Sequence, residues 1–391
     1  MALTDTVAEE LQRAVQGVLP GVRALRQDLH AHPEIALHEK RTAACVRDAL
    51  RAAGLAPWPP LLDTDVIAEL PGADSRTTIC LRADMDALPI DETTDCTYRS
   101  TTPGMAHSCG HDGHTAMLVG AARVLAARQG PLPVNVRFVF QPGEEIVAAG
   151  RDLVARGACD GVSAAYALHG WPGLPVGVVA GRSGPVMAAA AFFSVQLTGS
   201  GCHGSTPECG NSPLTAAAEI VQALERLHAD VQAEDGSVVS VCSLRGGQSA
   251  NVIPERCRIE GTVRYLEAAR GAQLEQRIRA VITQRCDARS IQADLDYTSR
   301  YALPTINSEA ASARARSLVQ HHLGSALWHE LTAPSMSSED FAYYLEGREG
   351  AMLRLGMGEE SPSLHNPAYN FNDDALANGI FTLCALALAG A

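Results

Sequence analysis

Basic residues, aromatic residues and long apolar runs are all in short supply in this chain of 391 residues. Lys and Arg together number 31 against 44 Asp and Glu, a formal charge of -13, and no basic block interrupts the sequence. A surface that tracks phosphates needs clustered cations, so nucleic acid is a poor partner class. The longest apolar runs, such as Ala188 to Phe193 and Ala385 to Ala389, fall well short of the roughly 18 residues that a membrane helix needs. The N-terminus lacks a basic-then-apolar signal. The expected location is therefore cytoplasmic, with no membrane partner. Regular cysteine spacing is missing as well: eleven cysteines are scattered along the chain, which argues against a secreted disulfide scaffold and for buried thiols.

What the chain does have is 46% apolar residues, enough for one large core or two smaller ones, and its length favours two domains. The patterning predicts helices at 23–30 and 39–54, then strands at 64–70 and 77–83 around the turn Pro71-Gly72-Ala73-Asp74. A helix at 115–128, a strand at 134–140, a helix at 144–155 and a strand at 162–168 follow. From about Ser183 the style changes to strand 189–198, helix 213–227, strands 237–244 and 256–265, helix 269–286 and strand 290–298. That β-α-β-β-α-β order is the split pattern of a ferredoxin-like unit. Helices at 308–322 and 339–345, a strand at 351–355 and a helix at 373–388 close the chain. The expected fold class is α/β: a mainly parallel-sheet catalytic domain with helices on both faces, built from residues 1–182 and 300–391, with an inserted ferredoxin-like α+β domain at 183–299.

Five short motifs carry chemistry: Asp84-Met85-Asp86, Cys109-Gly110-His111-Asp112-Gly113-His114, Glu144-Glu145, His169 and His365. Each ends an apolar strand-like run or sits in a Gly/Pro-rich loop, where a rigid sheet can aim side chains into one cleft. Cys109 and His111, flanked by His107 and His114, offer the thiolate and imidazole donors that a zinc-type metal accepts. Asp84 and Asp86 follow the strand Ile79-Cys80-Leu81; the other reading of this pair is a turn with side-chain-to-backbone bonding. With ~3.6 residues per helical turn, neighbouring side chains such as Glu144 and Glu145 diverge by about 100 degrees. One can then hold a metal while the other handles a proton, although N-terminal helix acids favoured by the dipole look the same. Jointly, the motifs read as a two-metal hydrolase site.

The strings Leu81-Arg82-Ala83-Asp84-Met85-Asp86-Ala87-Leu88-Pro89, Cys109-Gly110-His111-Asp112-Gly113-His114-Thr115, Gln141-Pro142-Gly143-Glu144-Glu145, Gly261-Thr262-Val263-Arg264 and Ser338-Glu339-Asp340-Phe341 resemble those of the M20 metallopeptidase family. More narrowly, they resemble its amidohydrolase branch, which includes hippurate hydrolases, N-acyl-amino-acid amidohydrolases and auxin-conjugate hydrolases. The match runs from His30-Ala31-His32-Pro33-Glu34 to Phe371-Asn372-Asp373-Asp374. The resemblance implies a catalytic α/β domain with two divalent metals and an inserted lid that often makes a dimer. It implies Cys109, His111, Glu145, His169 and His365 as metal ligands, Glu144 as general base and Asp86 as an orienter. Asp84 stands where other branches place a ligand histidine. His203, within Gly199-Ser200-Gly201-Cys202-His203-Gly204, resembles a lid histidine that steadies the oxyanion; as a lone residue it also reads as a solvated loop histidine. Asn251 and Arg264 resemble positions that contact substrate. Arg264 either grips the free acid of an acylated amino acid or makes an ion pair inside the sheet. After Thr206-Pro207 the chain has Glu208-Cys209 where many relatives have a histidine, so substrate preference transfers less well than chemistry.

The implied reaction is hydrolysis of the amide bond of an N-acyl amino acid or related conjugate by metal-activated water, with Zn²⁺ favoured by the thiolate and Mn²⁺, Co²⁺ or Ni²⁺ able to substitute. The expected partner is a small-molecule amide and the expected assembly a homodimer. A dipeptidase or carbamoyl-amino-acid hydrolase on the same scaffold, and a non-catalytic metal-containing binding protein, are the alternatives.

Overall fold

The apolar runs around Ile79, Val136 and Ala165 become the middle of a seven-stranded sheet, buried through most of their length. The computed structural model describes residues 3–390. Its large sheet contains β1 (Val66–Leu70), β2 (Gly72–Asp84), β3 (Leu132–Gln141), β4 (Val162–Trp171) and β5 (Val179–Gly181), together with the later strands Trp328–Glu330 and Glu349–Gly356. The order is β1, β3, β2, β4, Glu349–Gly356, β5, Trp328–Glu330. Pairing is parallel between β3 and β2, β2 and β4, and β4 and Glu349–Gly356, and antiparallel at β1–β3 and at β5 against Glu349–Gly356. This is a mixed α/β fold whose large sheet is mostly parallel. The central strands read as continuous apolar runs because helices cover them.

Helix α1 (Asp5–Ala31) is far longer than the pattern predicts, because Pro20-Gly21 reads as a breaker. Packing overrides that local signal: Leu11, Val15, Val22 and Leu29 are buried on one side of the helix, which contacts α3 (His111–Ala126) and the helix Leu376–Ala389. Helix α2 (Lys40–Ala52) lies between them in the chain. The turn expected at residues 71–74 is tighter, and β2 already starts at Gly72. A Cβ there would lie 2.1 Å from the Val134 carbonyl carbon, so only glycine lets the two backbones approach. The helix expected at 144–155 is two helices, α4 (Glu144–Val147) and α5 (Ala149–Ala155), separated by Ala148 at φ +51°.

The chain forms two compact units: Met1–Val186 with Ile306–Ala333 and Asp340–Ala391, and Met187–Thr305 with Pro334–Glu339. The segment 334–339 joins the second unit because the Ala188 amide donates to the Ser335 and Ser337 carbonyls. The second unit has its own four-stranded antiparallel sheet in the order Gln292–Ala302, Ala189–Thr198, Arg256–Tyr265, Val238–Gly246. Its helices Pro213–Asp235 and Ala268–Asp287 bury Ile220, Leu224, Leu274 and Ile278 with Val195, Ile259 and Val263. Along Arg256–Tyr265 burial alternates, as expected of a strand with one covered face. All eleven cysteines are free thiols, six of them buried.

Candidate metal centre

Parallel pairing brings the C-terminal ends of β2 and β3 together, at Asp84 and Gln141, with β4 continuing through His169. That is where loops of α/β sheets collect ligands. A buried network locks these ends in place. Arg82 donates to Asp84 Oδ2 at 2.6 Å, to Gln141 Oε1 at 3.0 Å and to Asp340 Oδ1 at 2.9 Å. Asp340 also accepts from the Gln141 amide group and from the Gly150 amide. Asp86 then holds the loop that follows β3: its two oxygens accept the backbone N–H groups of Glu144 and Glu145, each at 3.0 Å. Glu39 accepts the next N–H along, from Gly143 at 2.9 Å, and the Thr64 hydroxyl. Three successive amides at the start of a one-turn helix are thus fixed by two buried carboxylates. Gly143 takes φ +62° to present them.

Into this frame the cysteine loop and α3 deliver the donors. Cys109 Sγ lies 3.5 Å from His169 Nε2, and the His169 Nδ1–H donates to the Gly170 carbonyl at 2.8 Å. The carbonyl can only accept, so the His169 lone pair is on Nε2, facing the sulfur. His365 Nε2 lies 3.2 Å from Glu145 Oε1, and the His365 amide donates to the Ser108 carbonyl, tying the two loops together. His111 Nδ1 lies 3.4 Å from Asp86. Its buried Nε2 has no hydrogen-bond partner among the described residues and lies 3.8 Å from Asp84 and 3.9 Å from Glu145. Two triads result, Cys109–His111–His169 and Cys109–Glu145–His365, whose donor atoms lie within 4.8 Å of one another in each. They share Cys109. All five residues expected as ligands are therefore in one place, with Glu144 adjoining Glu145 and Asp86 beneath both.

The donor set fits divalent cations. Burial and the carboxylates of Glu145, Glu144 and Asp84 push the Cys109 thiol well above its usual range. Burial lowers the His111 imidazolium, but Asp84, Asp86 and Glu145 outweigh it and raise it to about 10. So strongly anionic a buried pocket calls for positive charge. His114, although it joins Asp84 and His111 in a third group, is committed elsewhere. Its Nε2 accepts the Gly170 amide at 2.7 Å, so Nδ1 carries the proton it donates to Asp84 at 2.6 Å.

His203, Asn251 and Arg264 belong to the second unit. His203 and Asn251 are neighbours there, because Cys202–His203 pairs with Val252–Ile253 and the Gly204 amide donates to the Asn251 carbonyl at 2.7 Å. Neither two-residue strand has a readable pattern. The exposed His203 accepts the Ser205 amide on Nδ1 at 3.1 Å, which leaves the ring proton on Nε2. Arg264 donates to Thr262 Oγ1 and lies over the Phe192 ring.

Sequence reasoning missed the supporting carboxylates and cations. Glu39 reads as an ordinary helix-start acid, and Arg82, Gln141 and Asp340 lie inside recognised strings without any signal of their pairing. His30 was missed too: its two ring nitrogens face Asp112 Oδ2 at 2.7 Å and Glu92 Oε1 at 3.0 Å, all three residues being buried. Burial lowers the imidazolium, yet Asp112 and Glu92 raise it to about 9. A folded-state value above the ordinary 6.5 contributes stability that is complete below about 6.5 and is lost as pH rises through about 9. Denaturant unfolding of wild type at pH 6.5 and 9.5 is therefore expected to show a larger stability loss than His30→Gln, which cannot titrate there. Equal losses would show that His30 is not charged in the fold.

Residues 80–389 match the peptidase family M20/M25/M40. The chain is 35% identical over 360 residues to an N-acetyl-L-cysteine deacetylase of Bacillus subtilis, covering 92% of this chain and 85% of that protein. It is 34% identical to the IAA-amino acid hydrolase ILR1-like 2 of Arabidopsis thaliana, covering 91% and 82%. Among solved structures, the Bacillus subtilis YXEP protein, a dinuclear metal-binding peptidase of the M20 family, aligns with a TM-score of 0.84 and 31% identity over 96% of this chain and 98% of that one. No helix among the described residues is long and apolar enough to cross a membrane. Family match, relatives and donor geometry converge: the chain belongs to the peptidase family M20/M25/M40 and is a metal-dependent amide hydrolase.

Proposed function

We propose that the enzyme hydrolyses the amide bond of N-acyl amino acids or related conjugates, with Glu144 as general base at a centre for two divalent ions. The observation that carries this reading is the pair of donor triads sharing Cys109, with Glu144 next to Glu145 on a turn held by Asp86. Cys109, His111, His169, Glu145 and His365 would hold the ions, and the soft thiolate favours Zn²⁺ over Mn²⁺, Co²⁺ or Ni²⁺. When bound, such ions supply Lewis acidity and lower the pKa of water. Glu144 takes a proton from the attacking water on its carboxylate and returns it to the leaving nitrogen. Asp86 fixes the backbone of both glutamates, so that one side chain serves a cation and its neighbour the proton. His203 is proposed as the oxyanion donor, supported by its Nε2–H tautomer, with Asn251 and Arg264 contacting substrate. The relatives' names, a deacetylase of an N-acyl amino acid and a hydrolase of an amino-acid conjugate, support the substrate class. The second unit as a lid and dimerisation domain, and a cytoplasmic homodimer, complete the reading.

The test is turnover by metal-loaded protein on N-acyl amino acids, dipeptides and N-carbamoyl amino acids, with acid and amine quantified. Release of both from N-acyl amino acids, abolished by chelation and restored by Zn²⁺ or Mn²⁺, is expected. Turnover confined to dipeptides or carbamoyl compounds would replace the proposed substrate. Bound metal with no hydrolysis on the panel would make the protein a binding protein.

A further inference from the structure

Arg354 stands beside the candidate metal donors without the anion that its surroundings call for. It lies on the strand Glu349–Gly356, in register with His169 on β4 and Ala180 on β5. Directly paired residues of neighbouring strands point to the same face of a sheet, so Arg354 and His169 share one. The Arg354 guanidinium carbon lies 3.8 Å from the centroid of the Trp171 ring, which is itself 5.8 Å from the His169 ring. A guanidinium stacked on an aromatic face keeps its planar fork of N–H donors free at the edge. Among the described residues its one hydrogen bond is long, from Nη2 to the Val186 carbonyl at 3.4 Å, and it pairs with no carboxylate. The buried arginines of this unit are each matched by a carboxylate: Arg26 has Asp373 at 2.7 Å, Arg82 has Asp84 at 2.6 Å and Arg137 has Glu69 at 2.8 Å. Burial pushes the Arg354 guanidinium down to about 10, with no acidic neighbour to offset it. A half-buried cation that is preorganised by stacking, short of an anion and adjacent to a proposed metal ligand is a receptor for a planar anion.

We propose that Arg354 is a carboxylate-binding subsite that selects amide substrates bearing a free acid close to the scissile bond. The inference rests on the amide-hydrolase reading above and narrows its substrate class. The acid can belong to the amino-acid half or to the acyl half of the substrate, and both present the same carboxylate to the guanidinium.

Matched pairs separate these sources. N-acetyl-methionine against its primary amide probes the α-carboxylate, N-acetyl-glutamate against N-acetyl-glutamine the side chain, and N-succinyl-methionine against N-butyryl-methionine the acyl half. In wild type, kcat/KM is expected to favour the acid in at least one pair. In Arg354→Met that acid-to-neutral ratio should fall about 10- to 100-fold, the span of a charge-assisted hydrogen-bonded contact. The loss should appear mainly in KM, with metal content and Tm held near wild type. Arg354→Lys, which keeps the charge but not the fork, should fall between the two. The pair whose ratio collapses identifies the half that carries the acid. If no ratio changes in either variant, Arg354 is only a stacking partner of Trp171 and the subsite is refuted. Calorimetric binding of N-acetyl-methionine, N-acetyl-glutamate and succinate to metal-loaded wild type and Arg354→Met isolates this proposal from the reaction. At least tenfold weaker binding of one acid by the variant supports the subsite even if no panel compound is hydrolysed, an outcome that refutes only the proposed reaction. Equal affinities for all three refute the subsite even if hydrolysis is observed.

Discussion

Glu144→Gln is expected to keep its fold and its metals while kcat falls by on the order of 10²- to 10⁴-fold, the contribution of a positioned general base. The amide is nearly the same shape as the carboxylate but cannot accept a proton from water. The surrounding structure should not respond, because what anchors this turn is the Glu144 backbone N–H on Asp86 Oδ1 and that of Glu145 on Asp86 Oδ2. Neither bond involves the substituted side chain. Metal content by elemental analysis and turnover should be measured on a single preparation. A variant retaining more than about a tenth of wild-type kcat has lost far less than the on-the-order-of 10²-fold expected, and another residue would have to be the base. A variant that lost its metals would instead make Glu144 a ligand.

Cys109→Ser should have the largest effect on metal binding, because Cys109 Sγ is the donor common to both triads. A serine hydroxyl is a hard, weakly acidic substitute for a soft thiolate, so affinity for Zn²⁺ should fall more than affinity for Mn²⁺. Changes one step removed from a metal already cost about 10- to 100-fold in affinity, and loss of the shared donor should exceed that for Zn²⁺. Competition against a chromophoric chelator measures both metals independently of activity. Unchanged Zn²⁺ affinity would remove Cys109 from the ligand set. An equal fall for both metals would assign it a structural role, for which its burial against His169 gives room.

The five residues expected as ligands and Glu144 stand out in the sequence because they end an apolar strand-like run or sit in a Gly/Pro-rich loop, within motifs that resemble those of the family. Asp86 was legible only as an acid at a strand end; that it caps two backbone amides is visible only in three dimensions. Glu39 and Asp340 carried no such mark. Their partners are Gly143 and Gly150 amides and Arg82, and a backbone amide has no residue type to search for. Arg354 carried no mark either: what distinguishes it is its stacking on Trp171 beside His169, a juxtaposition of two strands.

Element by element, local patterning located the long strands and most helices, and failed where packing outweighed propensity. Pro20-Gly21 interrupts the periodicity of α1 but not the helix, since Leu11, Val15, Val22 and Leu29 are buried along it. Ala148 is an excellent helix former, yet at φ +51° it separates α4 from α5; the Gly143, Glu144 and Glu145 amides are pinned from outside the helix by Glu39 and Asp86. The short strands Val179–Gly181 and Trp328–Glu330 are held only as partners at the edge of a larger sheet.

By itself the sequence determined the class of fold, the candidate donors and the family, because hydrophobic period and motif spacing are local properties that survive without coordinates. Tertiary structure alone decided which nitrogen of His114 and His169 carries the proton, which carboxylates support the turn at Glu144, and that the half-buried Arg354 stacks on Trp171 beside His169. Those outcomes depend on distances of a few ångströms between residues far apart in the chain, and pairing across such separations is set by the packed core rather than by any local pattern.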